Sequence, residues 1–157
     1  MKKFDSLIYV LIALSAFSFC FITTDAMAQT TKYLSGSNIR AAKGDTVWVF
    51  LNPIKPDRCE QFEKFVHEIL WPIALNSDPI SQQVAHHTRV LHPVEMNEDS
   101  TYTYVFIMDP VIQGANYQFS YYLKKKYDEE KTKDYLKMAE ECFASPQTGY
   151  TVVQSQH

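Results

Sequence analysis

Four stretches of the chain have the hydrophobic pattern of β-strands. Asp45–Asn52 is rich in β-branched and aromatic residues, and Thr101–Met108 alternates strictly between two sets of side chains. His86–Glu95 and Gly149–Gln154 complete the set. In Asp45–Asn52 and Thr101–Met108 neither set is charged, which predicts strands covered on both faces.

Two longer stretches have the period of amphipathic helices. The first begins at Pro56 and is expected to kink or end at Pro72, and a polar loop, Asn76–Gln83, follows it. The second is Asp128–Phe143, preceded by a short helix capped by Asn116. The order β-α-β-β-α-β predicts an α+β protein with a ferredoxin-like arrangement, in which both helices cover one face of a four-stranded antiparallel sheet.

The helices leave the other face of that sheet uncovered. We expect six large side chains on this second face, and their apolar area is too great for an isolated monomer to leave in water. They are Trp48, Phe50, Tyr102, Tyr104, Phe106 and Met108. A second sheet is the simplest cover, so the pattern predicts a homodimer, a dimeric α+β barrel with a central cavity.

The N-terminal segment has the features of a secretory signal peptide. Lys2 and Lys3 precede the apolar run Leu7–Ile22, and Ala26-Met27-Ala28 supplies small residues for cleavage. A retained anchor and a lipoprotein are the weaker alternatives, because the run is short of the ~20 residues that span a membrane. We therefore expect an exported protein, periplasmic or secreted and without a membrane segment after processing, built as a signal peptide (1–28), a flexible segment (29–43) and one domain (44–157).

Composition narrows the class of function. The chain has 157 residues, 46% of them hydrophobic, and a formal net charge of −3, which is typical of a packed globular protein and does not favour nucleic-acid binding. Its four glycines are isolated, so no phosphate-binding loop can be assembled. The residues themselves indicate no cofactor.

From Gly44 to Gln154 the chain resembles the dimeric α+β barrel proteins. The resemblance rests on the element order and on the segment TYTYVFIMDPVIQGANY, followed by a helix and GYTVVQ. That grouping includes antibiotic-biosynthesis-type monooxygenases, EthD-like and stress-responsive barrels and haem-degrading enzymes. The resemblance implies the fold and a dimer, but its members differ in chemistry and no catalytic motif accompanies it.

Two cysteines, Cys59 and Cys142, follow the leader. In the expected fold the start of the first helix lies beside the end of the second, so these thiols are candidates for a disulfide in an oxidising compartment. The alternative is two unconnected buried thiols that pack as small hydrophobic side chains.

The histidines offer little metal chemistry in sequence. His67 begins a near match to the H-E-x-x-H zinc motif, but Trp71 stands where the second ligand belongs, so His67 is interpreted as a surface residue. On one strand, His86 and His92 would share a face ~20 Å apart, too far to bind one ion. No metal site is predicted.

Three functions remain open. The first is binding of a small hydrophobic or aromatic ligand in the cavity between two sheets. The second is a monooxygenase-like or haem-handling enzyme that uses His87 as a base or ligand, and the third is a structural or interaction module without a cavity. The expected ligand-binding residues are Trp48, Phe50, His87, Arg89, Tyr102, Tyr104 and Phe106.

Overall fold

The structure, a computed structural model, describes residues 40–156. The signal peptide and residues 29–39 of the expected flexible segment lie outside the described residues. No helix within residues 40–156 is long and apolar enough to cross a membrane.

A four-stranded sheet, antiparallel throughout, forms the centre of the fold and confirms the α+β class. Its spatial order is β2-β3-β1-β4, with Phe50 of β1 opposite both Phe106 of β3 and Gly149 of β4. The strands are β1 (Thr46–Ile54), β2 (Thr88–Leu91), β3 (Tyr102–Met108) and β4 (Thr148–Val153).

Helices occupy the connections from β1 to β2 and from β3 to β4, whereas β2 and β3 are joined by a loop. A 3₁₀ turn (Pro56–Arg58) leads into α1 (Cys59–Lys64), a π-helical segment (Phe65–Leu70) and α2 (Trp71–Leu75), after which come α3 (Pro79–His87), α4 (Phe119–Leu123) and α5 (Glu129–Glu140).

Pro72 does not end the first helical run. The π-helical segment widens the turn just before it, and the chain continues in helical conformation as α2, with Pro72 as the second residue. α5 confirms the second long helix, with Asp128 as its N-cap. The short helix α4 also forms, but Gln118 rather than Asn116 is its N-cap.

The segment between α2 and β2 differs from the prediction. Instead of a polar loop at Asn76–Gln83 and a strand at His86–Glu95, residues Pro79–His87 form α3, and only Thr88–Leu91 is a strand. The Asp78 side chain accepts hydrogen bonds from the Ile80 and Ser81 amides. An aspartate N-cap followed by proline at the first helical position stabilises a helix start, and this signal outweighs the polar composition.

The predicted aromatic face of the sheet is covered, and the expectation that it lies away from the helices is wrong. The Phe62 ring of α1 packs edge-on against Tyr104, with centroids 5.1 Å apart, and lies 6.2 Å from the Phe106 ring. All six residues of that face belong to the hydrophobic core or pack against it: Trp48, Phe50, Tyr102, Tyr104, Phe106 and Met108. Alternation separates two faces of a strand, but it does not say which one the helices cover.

The opposite side of the sheet is also apolar, and we call it the open face. Its residues alternate with the core residues along each strand, and strand register places them side by side. They include Val49, Leu51, Val105, Ile107, Tyr150 and Val152, and Val47, the 8% exposed partner of Val152, lies on the same face. The first four are half-buried and stand outside the core cluster, whereas Tyr150 and Val152 are 53% and 47% exposed.

Candidate functional site

A solvent-connected pocket lies between the sheet and helices α4 and α5. Its volume is about 640 Å³, within the usual range for small-molecule sites. The apolar lining is Phe50, Phe106, Met108, Tyr117, Phe119, Leu136, Phe143 and Pro146, and the polar lining is Gln118, Ser120, Glu140, Ser145 and Gln147.

Strands β1 and β3 supply the floor of this pocket. Phe50 and Phe106 face each other across the two strands, so both rings point to the helix side. Tyr117 holds one wall: its hydroxyl accepts a hydrogen bond from the Ile112 amide at 2.7 Å, and its ring packs on Trp48 with centroids 5.1 Å apart. These contacts within the chain hold Tyr117 in place, so this apolar wall is preformed.

A buried asparagine, Asn52, holds Gln147 of the polar lining in place. Asn52 is fully buried, and its Nδ2 donates to the Tyr104 carbonyl oxygen at 3.1 Å. Its Oδ1 accepts a hydrogen bond of 2.5 Å from Gln147 Nε2. Among the described residues, Glu140 is the one charged side chain in the pocket lining, so the rim favours a neutral or cationic group over an anion.

A second, smaller cavity of about 40 Å³ adjoins the pocket on the core side. The two cavities share four lining residues, Phe106, Met108, Tyr117 and Phe119. These four side chains therefore separate the main pocket from the smaller cavity behind it.

Of the residues predicted to bind ligand, only Phe50 and Phe106 line this pocket. Trp48 supports it through Tyr117, and Tyr102 is half-buried beside the core. Tyr104 points to a different polar cluster, described below. The pocket thus forms within one chain, not between two sheets.

His87 and Arg89 both contact Asp109, and both lie outside the pocket lining. His87 ends α3 and is only 3% exposed, and this burial lowers the pKa of its imidazole. The Arg89 guanidinium forms an ion pair with the Asp109 carboxylate at 2.7 Å. Neither side chain joins the pocket aromatics, and the strand that was expected to contain both residues is helix as far as His87.

A polar cluster, which we call the histidine cluster, joins α1 and the π-helical segment to the residue after β2. It consists of Glu63, His67, His92 and Tyr104. The Tyr104 hydroxyl donates to Glu63 Oε1 at 2.6 Å, and His92 Nδ1 lies 3.2 Å from the same oxygen. His92 Nε2 in turn lies 3.2 Å from His67 Nε2.

The electrostatics of the histidine cluster follow from these contacts. The Tyr104 hydroxyl and the His92 ring hold the pKa of the Glu63 carboxyl below its usual value. Burial raises the pKa of Tyr104, and the adjacent Glu63 adds to this effect. The cluster therefore holds a charged carboxylate between a neutral phenol and an imidazole.

Cys59 and Cys142 are free thiols in the structure. The helix ends do meet as expected: the Lys55 amide donates to the Cys142 carbonyl oxygen at 2.9 Å, and the Lys55 carbonyl oxygen accepts from Cys59 Sγ at 3.6 Å. Burial raises the pKa of both thiols, which disfavours a reactive thiolate. The disulfide stays a prediction.

Sequence reasoning missed the histidine cluster and the helical side of the pocket. His67 and His92 are 25 residues apart, and no spacing motif connects a helix residue with one that follows a short edge strand. Leu136 of α5 and Phe143, three residues beyond that helix, carry no sequence signal that would distinguish a pocket wall from a core residue. No protein family, curated protein or solved structure matches this chain.

Proposed function

We propose that this protein binds a small hydrophobic or aromatic molecule in the pocket between the sheet and helices α4 and α5. The observation that carries the proposal is the pocket itself: about 640 Å³, walled by aromatic and aliphatic side chains and rimmed by a few polar ones. Binding sites for small molecules commonly combine these features.

The lining narrows the chemistry of the ligand. Phe50, Phe119 and Phe143 offer ring faces and edges to an aromatic group, and Glu140 repels an anion at the rim. The ligand class is therefore a neutral or cationic molecule with an apolar body. His87 is not among the lining residues, so no observation favours the haem-handling alternative over simple binding.

A pocket-filling variant tests this proposal. The probe is N-phenyl-1-naphthylamine, a neutral aromatic dye that fluoresces in apolar surroundings. Leu136 lines the pocket from α5, and Leu136→Trp places a large ring in the cavity. We expect the dye affinity to fall at least tenfold, about 1.4 kcal/mol.

The matched control adds the same ring elsewhere. Val152→Trp alters the open face, where Val152 is 47% exposed, and should leave dye affinity unchanged. Loss of binding in Val152→Trp with full binding in Leu136→Trp would assign the ligand to the open face instead. A wild-type protein that does not bind the dye supports the structural-module alternative.

We also propose a ferredoxin-like topology and a homodimer formed through the open face. The strand order β2-β3-β1-β4 and the β-α-β-β-α-β succession of its main elements support the first proposal. The apolar character of Val49, Val105 and Ile107, which lie on the side opposite the core, supports the second. A second copy would cover these residues with its own open face, because a two-fold interface pairs a patch with itself.

A further inference from the structure

The His67 and His92 imidazoles have the spacing of two ligands on one metal ion. Their Nε2 atoms are 3.2 Å apart. Two imidazole nitrogens on a tetrahedral zinc ion, each 2.0–2.1 Å from it, are separated by about 3.3 Å. The observed separation therefore matches that of a ligand pair, and a hydrogen bond between the rings accounts for it equally well.

The surroundings of His92 are also those of a metal ligand. Glu63 Oε1 lies 3.2 Å from His92 Nδ1, so this nitrogen carries the proton and the Nε2 lone pair is left to face His67. A carboxylate behind a ligating histidine is the recurrent outer shell of zinc sites, where it fixes the tautomer and raises ligand basicity.

Tyr104 in turn holds the Glu63 carboxylate in position. Its hydroxyl donates to Glu63 Oε1 at 2.6 Å, and its ring lies edge-on to the His92 ring with centroids 5.4 Å apart. Tyr104 is 3% exposed and packs against Phe62, so the core itself sets the orientation of Glu63.

We propose that His67 and His92 form a two-histidine site for a divalent transition metal of the zinc class, with Glu63 as the outer-shell carboxylate. Within residues 40–156, no three His, Cys, Asp or Glu side chains are arranged to hold an ion together. The remaining coordination positions therefore belong to water or to an external ligand, as in sites that keep an open position. Imidazole nitrogen selects zinc, copper or nickel over magnesium and calcium.

Titration calorimetry with Zn²⁺ on protein expressed from its full gene tests the site. Wild type should bind one ion per chain, and His67→Ala and His92→Ala should each weaken binding at least tenfold. Glu63→Gln keeps the side-chain shape but removes the carboxylate, and should weaken binding 10- to 100-fold. Binding of Cu²⁺ should give an electron paramagnetic resonance spectrum with two nitrogen ligands.

His86→Ala is the matched control, since His86 is an exposed histidine outside the cluster. It should bind Zn²⁺ as wild type does, and circular dichroism should show every variant folded. A wild type that binds Zn²⁺ no more tightly than the His67→Ala/His92→Ala double variant would reduce the pair to a hydrogen bond and overturn the site. Dye binding in the apolar pocket should be the same in all these variants, which separates this proposal from the first.

Discussion

Phe50 reaches its place in the pocket because the neighbouring strand has no side chain opposite it. Gly149 of β4 pairs with Phe50 of β1, and a Cβ atom built on Gly149 would lie 2.6 Å from Phe50 Cε1 and 2.9 Å from Cδ1. Such distances are well inside van der Waals contact. The glycine is needed here for close approach and not for an unusual backbone conformation.

Gly149→Ala should therefore alter the pocket more than the stability of the fold. The Phe50 ring can turn away from the new methyl group only by changing its position in the pocket lining, so dye affinity should fall about three- to tenfold. The free energy of unfolding should fall by ~1 kcal/mol, at the low end of overpacking costs, because the ring has open space to enter. Fluorescence titration and urea denaturation measure the two effects. Unchanged dye affinity with a folded protein would show that Phe50 does not shape the site.

At the scale of elements, Asp78 links two helices that are far apart in sequence. One of its carboxylate oxygens caps α3 by accepting from the Ile80 and Ser81 amides, each at 3.1 Å. The other accepts from Lys125, just beyond α4, and from Ser81 Oγ at 2.8 Å. The Lys125 ammonium, with the Ser81 hydrogen bonds, holds the pKa of the Asp78 carboxyl well below its usual value.

Because of this depressed pKa, the contribution of Asp78 to the free energy of unfolding depends on pH. Because the folded-state pKa lies below the unfolded value of about 4, the stabilisation is complete above that pH and is lost as the pH falls further. Asp78→Ala should lower the unfolding free energy by ~1–2 kcal/mol at pH 7, since it removes both the cap and an ion pair that is partly exposed. Asp78→Asn keeps the cap and should cost ~0.5–1 kcal/mol.

Urea denaturation between pH 7 and pH 2 measures this prediction. The stability gap between wild type and Asp78→Asn should narrow below about pH 4, where the Asp78 carboxylate of the unfolded wild-type chain begins to be protonated while that of the folded chain stays charged. Lys125→Met should reproduce the gap, and Lys124→Met, at the neighbouring exposed lysine, should not. A gap that stays constant with pH would mean that the ion pair contributes nothing.

The same region shows why some elements could be predicted and others could not. β1, β3, β4 and α5 have strong periodicity or clear caps, and the sequence places each of them within two or three residues. The polar composition of Asn76–Gln83 predicts a loop where α3 begins, although Asp78 and Pro79 carry the start signal of a helix. The tertiary contact between Asp78 and Lys125, 47 residues apart, has no local signature.

At the scale of the whole molecule, the helices cover the face of the sheet that was expected to be open, and they leave the other face uncovered. Alternation in β3 separates Tyr104 and Phe106 from Val105 and Ile107, but both sets are apolar and give no direction. The helices cover the face with the larger rings, since Phe62 and Phe119 pack among them and bury more apolar area there. Instead of the predicted cavity between two chains, the structure has a pocket within one chain.

The open face, and not the aromatic one, is then the surface on which dimerisation should depend. Ile107 lies at its centre, between Val49 of β1 and Arg89 of β2. Ile107→Glu places a carboxylate where a second copy would remove it from water without a partner, so sedimentation should show the dissociation constant of the dimer raised at least tenfold. Ile80→Glu, at an isoleucine that is 52% exposed on α3, should leave the dimer intact.

Three results are decisive. A dimeric wild type and Ile80→Glu with a folded, monomeric Ile107→Glu assign the interface to the open face. A wild type that stays monomeric at high concentration removes the barrel, but leaves the pocket untouched, because every residue lining the pocket comes from one chain. A dimer that survives Ile107→Glu must use another surface, such as the exposed edge of β4, where Val153 is 63% exposed.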